Sequence, residues 1–191
     1  PEALWLLGFG MVPAFFAVAL RSPAGGGRGW LLGAALSLLG CIGVFGLQDG
    51  VAFIVAWELM SLGGALRGRS EGDGRAGTPA LFMLILLELG TVALMAAFLI
   101  LGGGLDMDFG HFPAAGAALG PGARYLVGIL LIVGFGAKLG LMPFYEWFPG
   151  AYGRASGATG TLLSGVILNA GYFGLSRGLV LWLPGDGGAG F

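Results

Sequence analysis

Charge is what this sequence has least of. Only 10% of its 191 residues are charged, against 57% that are hydrophobic, and the mean hydropathy is +0.90. A soluble domain carries about 25% charged residues, so the solvent around most of this chain is expected to be lipid. The net charge of −1 leaves no basic footprint for nucleic acid. The single cysteine, Cys41 in LLGCIGVFGL, excludes a disulfide framework and a cysteine metal site, and reads as a packing residue. Signal-peptide architecture is lacking at the start. The chain begins at Pro1 and ends in GDGGAGF with no initiator methionine, so it is expected to be a fragment.

Glycine is abundant, with 41 residues scattered through apolar runs and no three-residue period. That pattern is neither collagen nor a linker. In lipid, small residues let helices approach where no hydrophobic drive brings them together. A helical span needs about 20 mostly apolar residues. Six runs qualify or come close: Ala3–Leu20, Gly29–Leu47, Gly50–Leu66, Ala76–Leu101, Tyr125–Met142 and Gly160–Leu183. None alternates as a barrel strand would. The expected fold class is therefore all-α, a multi-pass transmembrane bundle of about six spans, one of them broken.

The loops orient it. Arg21 and Arg28 sit in RSPAGGGRG, Arg67, Arg69 and Arg75 in RGRSEGDGR, and Arg154 follows the fifth span. The opposite loops hold Asp49, Asp106, Asp108 and His111, with Arg124 as their main cation. The positive-inside rule then makes the arginine-rich loops cytoplasmic, with the first span running inward. Trp5, Trp30, Trp147 and Trp182 fall near span ends, where an aromatic belt would lie. The long 102–123 connection is read as an external loop with a short surface helix. His111 there is either a solvated, loop-packing residue or a proton handler, and nothing near it has metal-ligand spacing.

Three ionisable residues fall inside spans: Glu58, Glu88 and Lys138. A charge at a helix centre costs about 2.5–3.5 kcal/mol on insertion scales, so such residues face a bundle interior or a wet cavity. Ser61 shares a helix face with Glu58, and Thr91 stands at the same spacing from Glu88; each could bond its carboxylate. Lys138 lies in GFGAKLGLMP, ringed by Gly134, Gly136 and Gly140 and followed by Pro143. Glycine weakens a helix and proline removes a donor, so a break at Gly140 and Pro143 is expected, of the kind that marks ion sites in transporters. GFGAKLG lacks the spacing of a phosphate loop. A carboxylate about 4 Å from the lysine contributes roughly 4 kcal/mol at an effective dielectric of about 20, enough to decide whether the lysine keeps its proton. Glu58 and Lys138 are the expected switchable pair. Arg177 reads as an anchor near the end of the last span.

Three stretches carry a family resemblance. GFGAKLGLMPFYEWFPGAYGRASGATGTLLSGVILNAGYFGLSR (134–177) looks like a pattern in which a lysine precedes P-x-H-x-W-L-P-x-A and a helix reading A-L-L-S-G. QDGVAFIVAWELMSL (48–62) looks like the matching D-x-x-x-F-x-x-x-W-E-L helix, and LILLELGTVALMAAFLIL (84–101) is similar to an H-L-G-T helix. Together they resemble the antiporter-like proton-translocating subunits of respiratory complex I, of membrane-bound hydrogenases (the hydrogenase-4 and formate hydrogenlyase branch) and of Mrp-type Na⁺/H⁺ antiporters.

The resemblance implies a fold of about fourteen helices with two inverted five-helix repeats. Residues 1–28 would be a preceding helix and cytoplasmic loop, 29–183 the first repeat, and 184–191 a truncated tail. It implies that Glu58 and Lys138 are the proton-translocating pair, with Glu88 standing where the hydrogenase branch has histidine. Asn169 stands where a basic relay residue is common, and Tyr145 where the P-x-H-x-W histidine is. The implied function is H⁺ or Na⁺ translocation in the cell membrane, beside other membrane subunits of a complex I-like, hydrogenase or Mrp-type complex. Redox chemistry would belong to those partners, with no cofactor in this chain. The alternatives are a structural scaffold without its own ion path, and a lipid-acting membrane enzyme, for which no nucleophile–base constellation is present.

Overall fold

The computed structural model describes residues 2–20, 27–71, 77–104, 106–153 and 155–184. Its long helices are α1 (Glu2–Ala19), α2 (Gly27–Gly46), α3 (Gly50–Ser70), α4 (Gly77–Leu101) and α6 (Pro121–Leu139), with the short α5 (Phe112–Ala118) between the last two. After α6 come a 3₁₀ turn (Phe144–Glu146) and α7 (Trp147–Tyr152). The last span, Gly157–Trp182, is continuous but uneven. It consists of α8 (Gly157–Leu162), a π-helical stretch (Leu163–Leu168), α9 (Asn169–Arg177) and a second π-helical stretch (Gly178–Trp182). Five segments are long and apolar enough to cross a membrane, and the apolar run of α1 is shorter. No strand occurs among the described residues. The fold is a multi-pass helical bundle.

Glycine sets the helix spacing. A Cβ on Gly33 of α2 would fall 2.7 Å from the Gly63 carbonyl of α3, so the two backbones touch. A Cβ on Gly90 of α4 would lie 2.8 Å from the Gly134 carbonyl of α6. This second crossing stands two residues from Glu88 and four from Lys138. The outward faces carry Trp5, Phe9, Phe15, Val92 and Tyr125, all more than half exposed. An apolar belt of that extent suits lipid, not water.

Three sequence expectations change here. Arg67 is not in a loop: α3 runs on to Ser70 and buries it completely, because Arg67 continues the face of Phe53, Met60 and Gly64. Arg21, Arg75 and Arg154 lie outside the described residues. Trp30, Trp147 and Trp182 are no more than 1% exposed, so they fill the interior and do not line a lipid belt, while Trp5 is 80% exposed. Their N–H groups explain part of this, since Trp30 donates to Thr159 Oγ1 at 2.6 Å and Trp147 to the Ala137 carbonyl at 2.9 Å. The 102–123 connection is no solvated loop throughout. Phe109 and Phe112 are buried, and they join Phe53, Phe98, Phe135 and Trp182 in a cluster of rings with centroids 4.7–6.5 Å apart. This cluster fills the end of the bundle opposite Arg67 and Arg69. Arg177 lies over the Phe109 and Trp182 rings and donates to Gln48 Oε1.

Candidate functional site

Three helices bring the intramembrane groups together. From α6, Lys138 enters the bundle 1% exposed. Its ammonium donates to the Trp57 carbonyl at 2.8 Å and to Ser61 Oγ at 2.7 Å, and lies 3.8 Å from the centre of the Trp57 ring. Ser61 in turn donates to the Trp57 carbonyl at 3.2 Å. The cation is thus held by neutral oxygens and a π-face, a combination that suits an ammonium in a dry place.

The carboxyls sit beside it. Glu58 Oε1 accepts from Thr91 Oγ1 at 2.5 Å, across the α3–α4 contact. Glu88, the second carboxyl, stands three residues before Thr91 on α4. Both are half-buried, whereas Thr91 is buried.

The local pairings differ from those expected. Ser61 serves Lys138 and not Glu58, and Thr91 serves Glu58 and not Glu88. An i, i+3 neighbour reaches along its own helix, but the facing helix here offers the closer partner. Glu58 and Lys138 form no ion pair with each other: their charged ends take separate partners. They stand close all the same, because the carbonyl that accepts from Lys138 belongs to the peptide bond entering Glu58.

What places Lys138 is the end of α6. Gly140 caps the helix at φ +70°, a left-handed conformation that disfavours a side chain, and a Cβ there would fall 2.6 Å from Phe148 Cδ2. Leu141 N–H bonds back to the Gly136 carbonyl at 2.9 Å, and the Ala137 carbonyl accepts from both the Gly140 N–H at 3.3 Å and the Trp147 indole. Pro143 follows in the turn leading to the 3₁₀ segment.

The other candidates lie elsewhere. Tyr145 is in the 3₁₀ turn, 42% exposed. Asn169 follows the first π-helical stretch, donates its amide to the Leu6 carbonyl of α1, and faces an open groove shared with Leu139, Ser164 and Tyr152. His111 is exposed at the end that the aromatic cluster fills, bonded to Asp106. That bond raises the histidine pKa, while the Asp108 backbone N–H and then His111 lower that of Asp106. Among the described residues no group of three metal-ligating side chains occurs. Trp57 and Trp147, which hold the lysine and its helix end, are the functional residues that sequence reasoning missed. The Trp–Glu pair and the proline–tryptophan spacing are the only signals for them.

Comparison with known proteins places this geometry. Residues 48–187 match the family described as NADH:quinone oxidoreductase/Mrp antiporter, transmembrane. The chain belongs to that family. It is 33% identical over 140 residues to hydrogenase-4 component B of Escherichia coli, covering 68% of this chain and 20% of that one. It is 32% identical over 148 residues to NAD(P)H-quinone oxidoreductase chain 4 of Prochlorococcus marinus, covering 76% and 28%. Among solved structures it is similar to a chain of the membrane-bound sulfane sulfur reductase, an archaeal respiratory membrane complex. There the TM-score is 0.80 at 26% identity, over 94% of this chain and 29% of the other. The chain thus spans less than a third of the length of each of these relatives.

Proposed function

We propose that this chain is a lysine-bearing repeat of an antiporter-like subunit that moves H⁺, or Na⁺, across the cell membrane within a complex I-like, hydrogenase or Mrp-type assembly. In this reading residues 29–183 form one five-helix repeat preceded by the helix of 1–28, the 184–191 tail leads onward, and the arginine-rich end faces the cytoplasm. Glu58 and Lys138 are the switching pair, with Glu88 as a further proton-carrying group. Half-buried carboxyls at mid-span call for cover by other membrane subunits.

The observation that carries the reading is the setting of Lys138. Its buried ammonium rests on neutral oxygens with two carboxyls on neighbouring helices, so the lysine has a ready alternative partner. Bringing the Glu58 carboxylate to about 4 Å adds roughly 4 kcal/mol at an effective dielectric of about 20. At about 1.36 kcal/mol per factor of ten, that shifts the balance of charged over neutral lysine by about a thousandfold. Small side-chain movements can therefore load and release a proton.

The test uses vesicles holding the full-length subunit in its complex. Lys138→Met and Glu58→Gln are each expected to abolish ion pumping, and undiminished pumping in both would overturn the reading. That outcome would favour a scaffold without its own ion path. The scaffold reading draws on Asn169, a neutral amide tied to α1 where a relay residue would have to titrate.

A further inference from the structure

The end of α6 that places Lys138 is itself held from the side, by α7. The Phe148 ring packs on Gly140, where an added Cβ would fall 2.6 Å from Cδ2 and 3.0 Å from Cε2. One turn later Tyr152 stacks on Phe148, with centroids 4.5 Å apart and planes 13° from parallel. Their four-residue spacing puts both rings on one helix face. Phe148 also meets Trp147 at 4.9 Å between centroids, and the Trp147 indole bonds the carbonyl of Ala137, next to the lysine.

The column of contacts does not stop at α7. The Tyr152 hydroxyl hydrogen-bonds Ser164 Oγ at 3.0 Å, and Ser164 belongs to the first π-helical stretch of the last span. A serine or threonine inside a helix commonly turns back to the carbonyl four residues earlier. Thr161 does so, donating to the Gly157 carbonyl at 2.8 Å. Ser164 reaches across to α7 instead. It stands exposed on the groove shared with Leu139 and Asn169, and in hydrocarbon a hydroxyl without a partner is costly. Contacts thus run from Ser164 through Tyr152 and Phe148 to Gly140, two residues from Lys138. Close-packed side chains have few voids to absorb a displacement, so such a column passes it on.

We propose that Tyr152 and Ser164 are positioning residues for Lys138: their hydrogen bond ties the helix end that carries the lysine to the last span. A shift of that span then reaches the ammonium through Phe148 and Gly140. The positioning role rests on the ion-translocation reading above, whereas the tie itself does not. Neither hydroxyl is a partner of the ammonium, which bonds the Trp57 carbonyl and Ser61.

Amide hydrogen exchange and vesicle pumping, on the full-length protein in its complex, test the two parts separately. Tyr152→Phe keeps the stacked ring and deletes the hydroxyl, and Ser164→Ala deletes its partner, so both variants are expected to assemble. One neutral hydrogen bond is worth about two- to tenfold in an equilibrium. Exchange at the Leu141 amide, which bonds back to the Gly136 carbonyl at 2.9 Å, should quicken roughly fivefold in each variant. It should quicken no further in the double variant, and exchange in α2 should stay as it is. Wild-type exchange at Leu141, or equal quickening in α2, overturns the tie whatever the transport result. Pumping should fall roughly fivefold in each single variant, no further in the double, and hold its wild-type rate in Ser164→Thr, which keeps the hydroxyl. With Lys138→Met inactive, the positioning role is overturned by wild-type rates in Tyr152→Phe, by multiplied losses in the double variant, or by equal losses in Ser164→Ala and Ser164→Thr. Full pumping in Lys138→Met instead defeats the transport reading and leaves exchange to decide the tie.

Discussion

Replacing Lys138 by methionine separates a working lysine from a structural one. The side chains have similar length, so the change deletes the charge and leaves the volume. Two hydrogen bonds from a charged donor are lost, worth about 1.5–3 kcal/mol each, together with a desolvated cation–π contact of about 2 kcal/mol. Against them stands the penalty of keeping an ammonium out of water, several kcal/mol after relaxation. The partners are not orphaned, because Ser61 Oγ still donates to the Trp57 carbonyl at 3.2 Å. Exchange of a buried charge for a well-packed apolar group is often neutral or stabilising by about 1–4 kcal/mol. The full-length Lys138→Met protein is therefore expected to unfold at the wild-type temperature or a few degrees above it, while vesicle pumping disappears. Thermal unfolding in nanodiscs and pH-sensitive dye in the vesicle lumen read the two quantities. A loss of stability beyond about 3 kcal/mol, or pumping that survives, would refute the reasoning.

Thr91→Val removes a 2.5 Å hydrogen bond to the Glu58 carboxylate, worth about 1.5–3 kcal/mol. Transport should fall at least tenfold and recover in Thr91→Ser; equal rates in all three proteins would deny Glu58 that dependence. Gly90→Val places its Cβ 2.8 Å from the Gly134 carbonyl and should destabilise the bundle by about 1–3 kcal/mol through overpacking. Gly8→Ala, with nothing within 4 Å of the added Cβ, should instead add about 1 kcal/mol by helix propensity; thermal unfolding distinguishes them. The Asp106–His111 contact predicts a pH window. The histidine contribution is complete below its ordinary value of about 6.5 and fades as pH rises through its raised pKa. The aspartate contribution is present above about 3.9 and fades as pH falls through its lowered one. Amide protection at Asp108 and Gly110 should thus peak between about pH 4 and 6.5 and in His111→Ala lose its decline above that window while keeping the one below it; a flat wild-type profile would contradict the contact.

The helices were legible because lipid demands length and hydropathy, and both are written locally. The end of α6 was legible for a similar reason, since Gly140 and Pro143 act on the chain where they stand. Side-chain partners were not. Ser61 and Thr91 looked like servants of their own helices, and only the α3–α4 and α3–α6 contacts reveal that they bond Thr91 to Glu58 and Ser61 to Lys138. Arg67 misled because counting arginines toward orientation assumes that they stand in loops. Its spacing from Phe53, Met60 and Gly64 already placed it on the buried face. The π-helical stretches on either side of α9 had no sequence signal, because one extra residue per turn depends on what the last span packs against.

The two ends of the bundle are unlike, and the lysine sits at their boundary. On one side Trp57 covers the ammonium and leads through Phe53, Phe135, Phe98, Phe109 and Trp182 to Phe112, a continuous run of ring contacts with no polar gap. On the other, the face of α3 thins to Gly64 and Gly68 and ends at a carboxylate. Aromatic rings exclude water and offer no acceptor for a travelling proton, whereas glycines leave room for it. Residues spaced along one helix, Trp57 against Ser61 and Gly64, thus create a dry side and a polar side around the same nitrogen. On the proposed translocation reading, a path from Lys138 runs sideways out of this chain, because the rings fill the far end. Glu58 and Glu88 are only half-buried, and the longer relatives, of which this chain spans less than a third, are the right setting in which to test it.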